Sequence, residues 1–159
     1  MTQTNNITLL VNGEQITANV PVRLNLVDFL RNEVGLTGSH VGCEHGVCGA
    51  CTLEVNGSMV RGCLMLAVQA DGATVTTVEG LADSGRGDEL RTAFQMRNAL
   101  QCGYCTPGML ASALEYIEAG GSADRVAIRD HISGNYCRCT GYQSIVDAIC
   151  DVIEQRGAA

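Results

Sequence analysis

Two short β-branched runs, Ile7–Val11 and Gln15–Val20, open the chain, and Asn12-Gly13 between them has the composition of a tight hairpin turn. The period then changes. Asn25, with Asp28 at its third position, reads as a variant capping box, and Leu26, Phe29, Leu30 and Val34 fall on one face of the helix it opens. Gly35 closes that helix, and a glycine-rich stretch from Gly38 to Gly49 follows. Strand patterning resumes at Thr52–Val55, turns at Asn56-Gly57, and continues through Met59–Leu66 and Ala73–Val78. Strands, one helix, then strands around a loop predict an open sheet curled over a helix.

From about Ser84 the helical period takes over. Leu90, Ala93, Phe94 and Arg97 begin one stretch, and Thr106 followed by Pro107 reads as an N-cap and first helical residue, leading Leu110, Ala113, Leu114 and Ile117 along one face. Gly120-Gly121 breaks it. Ser122 starts a shorter helix that ends near Gly134, and Ser144 with Asp147 forms a capping box for a last helix striped by Ile145, Ile149, Val152 and Ile153. The expected class is α+β: a sheet domain over 1–81, a linker over 82–88 and a four-helix domain over 89–159.

Length sharpens this picture. Halves of roughly 80 residues sit where an apolar core alone supplies only a few kcal/mol, and with two Phe, four Tyr and no Trp these cores must be aliphatic. A metal centre in each half would make up the shortfall, since metal binding and folding share one free energy.

Nine cysteines supply the means. Cys43, Cys48, Cys51 and Cys63 form C-x4-C-x2-C plus a distant fourth, the spacing of plant-type [2Fe–2S] ligation. Gly42, Gly46 and Gly49 stand beside or between these ligands and let backbone amides approach the sulfurs; Cys63, on the next β-run, closes the set. Zinc is the competing reading, though tetrahedral zinc usually takes C-x2-C pairs. His45 invites a Rieske reading, but such centres use two His with two Cys, and four Cys already suffice here. His45, His40 and His131 read as solvated loop residues.

A second set, Cys102, Cys105, Cys137 and Cys139, joins a C-x2-C to a C-x-C across 31 residues. The first pair lies at the start of a helix, whose free N–H groups favour an anionic group. The second pair shares one side of an extended residue, Arg138, which is either a surface arginine or a cation that raises the potential of an adjacent anionic centre. Cys150, beside Ile149 in the last helix, reads as an inert buried thiol.

The net charge of −7 disfavours nucleic acid; it either steers a basic partner face or simply solubilises the chain. Met1–Asn6 lacks the basic and apolar regions of a signal peptide, and no stretch approaches a membrane span. A cytoplasmic location follows as an expectation, with cysteines that serve metals rather than disulfides.

The run Gly42-Cys43 through Cys51, the segment Gln101-Cys102-Gly103-Tyr104-Cys105-Thr106-Pro107-Gly108-Met109, and Asn135-Tyr136-Cys137-Arg138-Cys139-Thr140-Gly141-Tyr142 together resemble the small iron–sulfur subunit of molybdenum hydroxylases, the xanthine dehydrogenase, aldehyde oxidoreductase and carbon monoxide dehydrogenase type. The likeness runs from Ile7 to about Ile153 with no departure at a ligand position. It implies a plant-ferredoxin-like β-grasp domain, a helical-bundle domain and a [2Fe–2S] cluster in each. It also implies partners: a large subunit with a molybdopterin cofactor near the second cluster, and a medium subunit with FAD nearer the first, in a heterotrimer or a dimer of heterotrimers. Electrons would run from molybdenum through the second cluster, then the first, to flavin. Gln101 and the Cys139 sulfur would contact the pterin, Gln101 being otherwise an ordinary polar residue. The chain itself would hold no catalytic residue. A free-standing two-cluster ferredoxin is the alternative. The substrate stays open among aldehydes, N-heteroaromatics, acyl-CoA and carbon monoxide, because the likeness concerns electron wiring.

Overall fold

The first alternation is realised as β1 (Thr4–Val11), with Ile7, Leu9 and Val11 buried and Leu10 exposed, in a computed structural model that describes residues 3–157. Its hairpin partner β2 (Glu14–Pro21) pairs antiparallel, Leu9 opposite Ile16 and Ile7 opposite Ala18. Asn12 and Gly13 take φ of 49° and 88°, the left-handed pair that a twisted two-residue turn requires. At α1 (Leu26–Asn32) the Asn25 side chain accepts the Asp28 amide at 2.8 Å and donates to the Asp28 carboxylate at 2.7 Å, so the variant box forms. Leu26, Phe29 and Leu30 then bury against the sheet with Ile7, Leu53 and Val75.

β3 (Thr52–Val55), β4 (Ser58–Arg61) and β5 (Thr74–Thr76) complete a five-stranded sheet of order β2-β1-β5-β3-β4, in which β1 and β5 are parallel. The expected strand Met59–Leu66 stops at Arg61. Gly62 donates to the Cys51 carbonyl at 3.1 Å and Leu64 to the Arg61 carbonyl at 2.9 Å, which turns the chain away, so Cys63 sits in that turn and not on a strand. β5 likewise ends early: the Thr77 amide donates to the Asn12 side chain at 2.9 Å and α2 (Val78–Asp83) begins.

The helical half contains α3 (Asp88–Met96), α4 (Thr106–Glu118), α5 (Arg125–Ile132) and α6 (Gln143–Gly157). Three expected boundaries move. Cys105, one residue before Thr106, is the N-cap of α4. Asp124 caps α5 in place of Ser122, whose carbonyl accepts the Tyr116 hydroxyl at 2.9 Å. The Ser144–Asp147 box does not form, because α6 has already begun and the Asp147 carboxylate pairs with Arg125 at 2.6 Å. The stretch 82–88 is the end of α2 and a turn into α3, and Leu81 of α2 buries in the helical core with Leu90, Phe94 and Ile149. Among the described residues the chain is a mixed α+β fold with five strands and six helices, and no helix is long and apolar enough to cross a membrane.

Two apolar clusters result, and α4 joins them. Gly108 backs directly onto the carbonyls of Gly49 and Ala50, leaving no space for a Cβ. Arg86 donates to Glu54 of β3 at 2.7 Å and to Glu118 of α4 at 2.7 and 2.5 Å.

Gly108→Ala should lower stability by about 1–3 kcal/mol, because the obstacle is backbone that cannot rotate away; a urea titration of the metal-loaded protein measures it. Hydrogen bonding to Arg86 holds the Glu118 carboxyl below its ordinary value. Its folded value lies under its unfolded one, so the stabilisation is present above the unfolded value and fades as pH falls through the folded one. Arg86→Ala should therefore destabilise at neutral pH and flatten the loss of stability on acidification below about pH 4.5, followed by thermal melts across that range.

Candidate metal centres

All nine cysteines are free thiols. Eight lie in the loop before β3, the turn after β4, the residues leading into α4 and the loop before α6, and they meet two by two.

In the first set Cys43 pairs with Cys48 and Cys51 with Cys63, and the charge on Cys48 reaches Cys51 as well. The glycine-rich loop turns its amides inward, as the composition implied. Hydrogen bonds from the His45 amide, then the Cys48 amide, draw the Cys43 thiol down to about 6, against opposition from burial. The Cys48 amide lies 3.4 Å from Cys43 Sγ. His45 serves through its backbone while its side chain is exposed. Positive φ at Glu44, Gly46 and Gly49 makes the coil possible, and a Cβ on Gly42 would stand 3.0 Å from Cys48 Sγ. Burial first, then the neighbouring Cys63 thiol, push Cys51 up to about 11.

In the second set Cys102 and Cys139 have their sulfurs 3.5 Å apart, and Cys105 pairs with Cys137. Cys137 and Cys139 thus both reach the C-x2-C pair across Arg138, as the alternation required. Burial, then the Cys137 thiol, drive Cys105 up to about 12. For Cys137 burial is the largest single influence and works upward, but hydrogen bonds from Thr140 and the Cys139 amide outweigh it and the thiol is lowered overall. Thr140 donates to Cys137 Sγ at 3.1 Å.

These donor sets fit two-iron cores. Four sulfurs in two adjacent pairs offer two ligands to each of two irons. The amides and the hydroxyl aimed at sulfur are the donors that a thiolate-ligated centre uses.

The two sets are stapled together. The Tyr136 amide donates to the Cys48 carbonyl at 2.8 Å, so the residue before Cys137 is bonded to a member of the other set. Asn135, only 2% exposed, donates to the Gly49 carbonyl at 3.1 Å and accepts from Ser112 at 2.9 Å. Arg61 donates to the Gly134 carbonyl at 3.0 Å and also to Thr52 Oγ1, whose own proton goes to Gly49 at 2.6 Å. On the outer side the His40 and Tyr104 rings stack at 4.6 Å, His40 Nδ1 donates to the Tyr104 carbonyl at 2.8 Å, and the Tyr104 hydroxyl donates to the Val41 carbonyl at 2.7 Å. His40 is therefore a clasp between the loops and not a free loop residue. His131 belongs to α5 and bonds the Ser112 carbonyl at 3.0 Å.

Gln101 is exposed and donates to the Cys139 carbonyl at 3.0 Å, which puts the two residues expected at a pterin side by side on the surface. Arg138 is exposed on the rim of a cleft lined by Cys48, Tyr136 and the four thiols of the second set. Cys150 is buried, its thiol 3.5 Å from the Ala123 carbonyl, and burial raises it. Asn135, Tyr136, Thr140 and Tyr142 stand in the motif that carries the family likeness, and of the partners given for them above only Ser112 of Asn135 lies outside its three segments.

Comparison with known proteins shows the family. Residues 9–82 match the 2Fe-2S iron-sulfur cluster binding domain family, and residues 77–150 match the [2Fe-2S] binding domain family. The chain is 53% identical to the caffeine dehydrogenase subunit gamma of a Pseudomonas species over 151 residues, 92% of this chain and 89% of that one. It is 51% identical to the nicotine 6-hydroxylase small subunit of Paenarthrobacter nicotinovorans over 147 residues, 92% and 88% of the two chains. The crystal structure of quinoline 2-oxidoreductase from Pseudomonas putida 86 superposes with a TM-score of 0.89 at 45% identity, covering 99% of this chain and 100% of that one. With both domain families present in one chain and relatives of this kind over nearly its whole length, the chain belongs to the family of small iron–sulfur subunits of the xanthine and aldehyde dehydrogenase type of molybdenum hydroxylases.

Proposed function

We propose that this chain relays electrons within a cytoplasmic heterotrimer, between a molybdopterin centre on a large subunit and FAD on a medium subunit. Cys43, Cys48, Cys51 and Cys63 would hold one [2Fe–2S] group in a β-grasp domain over about 1–81. Cys102, Cys105, Cys137 and Cys139 would hold the other in a helical domain over about 89–159, past the 82–88 junction. Each such group, when bound, supplies a site that takes and releases one electron. The protein's contribution is to hold the eight thiols in pairs, aim donors at them and keep the two sets in fixed contact.

The observation that carries this reading is the hydrogen bond from the Tyr136 amide to the Cys48 carbonyl at 2.8 Å. It joins the sets by backbone alone, from Cys48 through one hydrogen bond and one residue to Cys137. A stapled junction suits a relay whose two sites must keep one separation. Exposed Leu100, Tyr104 and Tyr136 (41%, 49% and 55%) around the exposed thiol of Cys102 favour a permanent partner on that side over a freely diffusing ferredoxin.

Caffeine, nicotine and quinoline, in the names of the relatives, all contain nitrogen heterocycles, and we propose that the large partner oxidises a compound of that class. Gln101 and Cys139 would face its cofactor.

Affinity purification from the native source should bring down two larger chains, and the complex should contain about four irons per copy of this subunit. Zinc in their place, or a single iron–sulfur signal after full reconstitution, would sink the relay. The purified chain alone should show both signals and no turnover. In steady-state assays with an artificial acceptor, the complex should turn over an N-heteroaromatic substrate with higher kcat/KM than a simple aldehyde; the reverse order would refute the substrate class while leaving the relay intact.

A further inference from the structure

Three hydrogen bonds close a ring behind the second set. The Cys137 amide donates to the Tyr142 hydroxyl at 2.9 Å, the Tyr142 amide donates to Thr140 Oγ1 at 3.1 Å, and Thr140 Oγ1 donates to Cys137 Sγ at 3.1 Å. Gly141 and Tyr142 both adopt positive φ, 65° and 67°, which folds the chain back far enough for the ring to close. Each link fixes the next. A hydroxyl has one proton and two lone pairs; because the Tyr142 amide occupies a lone pair of Thr140 Oγ1, the Thr140 proton is left to point at sulfur. The Cys137 amide is likewise taken up by the tyrosine. Cys137 Sγ therefore receives an oriented side-chain hydroxyl, whereas Cys43 in the first set is served by loop amides from His45, Cys48 and Val47.

We propose that Thr140 is a positioning residue that raises the reduction potential of the second centre selectively, with Tyr142 holding its hydroxyl in place. A donor on a ligand sulfur withdraws charge and favours the state with one more electron. The inference rests on the relay reading and adds to it a means by which the chain distinguishes its two sites.

The test is potentiometry followed by electron paramagnetic resonance on the assembled complex, comparing wild type, Thr140→Val and Thr140→Ser. In Thr140→Val the one-electron equilibrium of the second signal should move toward the oxidised form by up to about tenfold, which is about 59 mV for one electron. The first signal should stay where it is, and Thr140→Ser should restore the second. A valine variant with full iron and both midpoints unchanged, or both shifted equally, overturns the proposal. A second measurement does not depend on the variant assembling. On brief transfer to heavy water the reduced second centre of the wild type should show a coupled hydroxyl deuteron that appears before those of the slower-exchanging Cys139 and Thr140 amides and persists in Thr140→Ser, and the absence of that fast-exchanging coupling from the wild type overturns the proposal equally. Failure of the relay itself looks different: the wild type would then lack two iron–sulfur signals altogether.

Discussion

The backbone hydrogen bond between the Tyr136 amide and the Cys48 carbonyl, 2.8 Å long, lies at a junction that every functional feature of this chain depends on. Irregular loops leave backbone donors and acceptors without ladder partners, and burying them unpaired costs more than folding can spare. Asn135 resolves this at the junction. Its amide serves the Gly49 carbonyl and its oxygen takes the Ser112 proton, while Arg61 and Thr52 cover the Gly134 and Gly49 carbonyls. The thiol loops can therefore be buried against each other. Gly108 completes the contact, since any side chain there would push α4 off the Gly49 loop.

Bringing eight thiols together has an electrostatic consequence. Burial and neighbouring sulfur hold Cys51 at about 11 and Cys105 at about 12, while inward amides hold Cys43 at about 6. Metal loading must expel protons from the buried members, so assembly couples to folding and to pH.

Features decided by neighbours in sequence were legible before the structure. The hairpin at Asn12-Gly13 and the Asn25–Asp28 cap each need only a few consecutive residues to agree. Two caps slip by one or two residues, Thr106 to Cys105 and Ser122 to Asp124, and the larger misplacements are decided at longer range. Met59–Leu66 reads as one strand until Gly62 is seen bonded to Cys51, and Ser144–Asp147 reads as a cap until Arg125 claims the carboxylate. His40 looks solvated because its partner Tyr104 lies 64 residues away. Asn135 and Tyr142 are ordinary polar and aromatic letters; their roles exist only once Gly49, Ser112 and Cys137 stand beside them.

The two sites differ in their hydrogen-bond donors and in exposure at one thiol each, Cys102 being exposed and Cys51 buried. Cys102 is exposed beside Gln101, Cys137 is partly covered, Cys48 lies beyond the Tyr136 bond, and Cys51 is buried under the sheet. Exposed Val47 and Leu64 flank that loop, with Leu64 filling the space in front of Gly46. Contact with a second partner at that point needs no new opening in the fold. The same staple that satisfies these backbone groups also keeps Cys48 and Cys137 one backbone hydrogen bond and one residue apart.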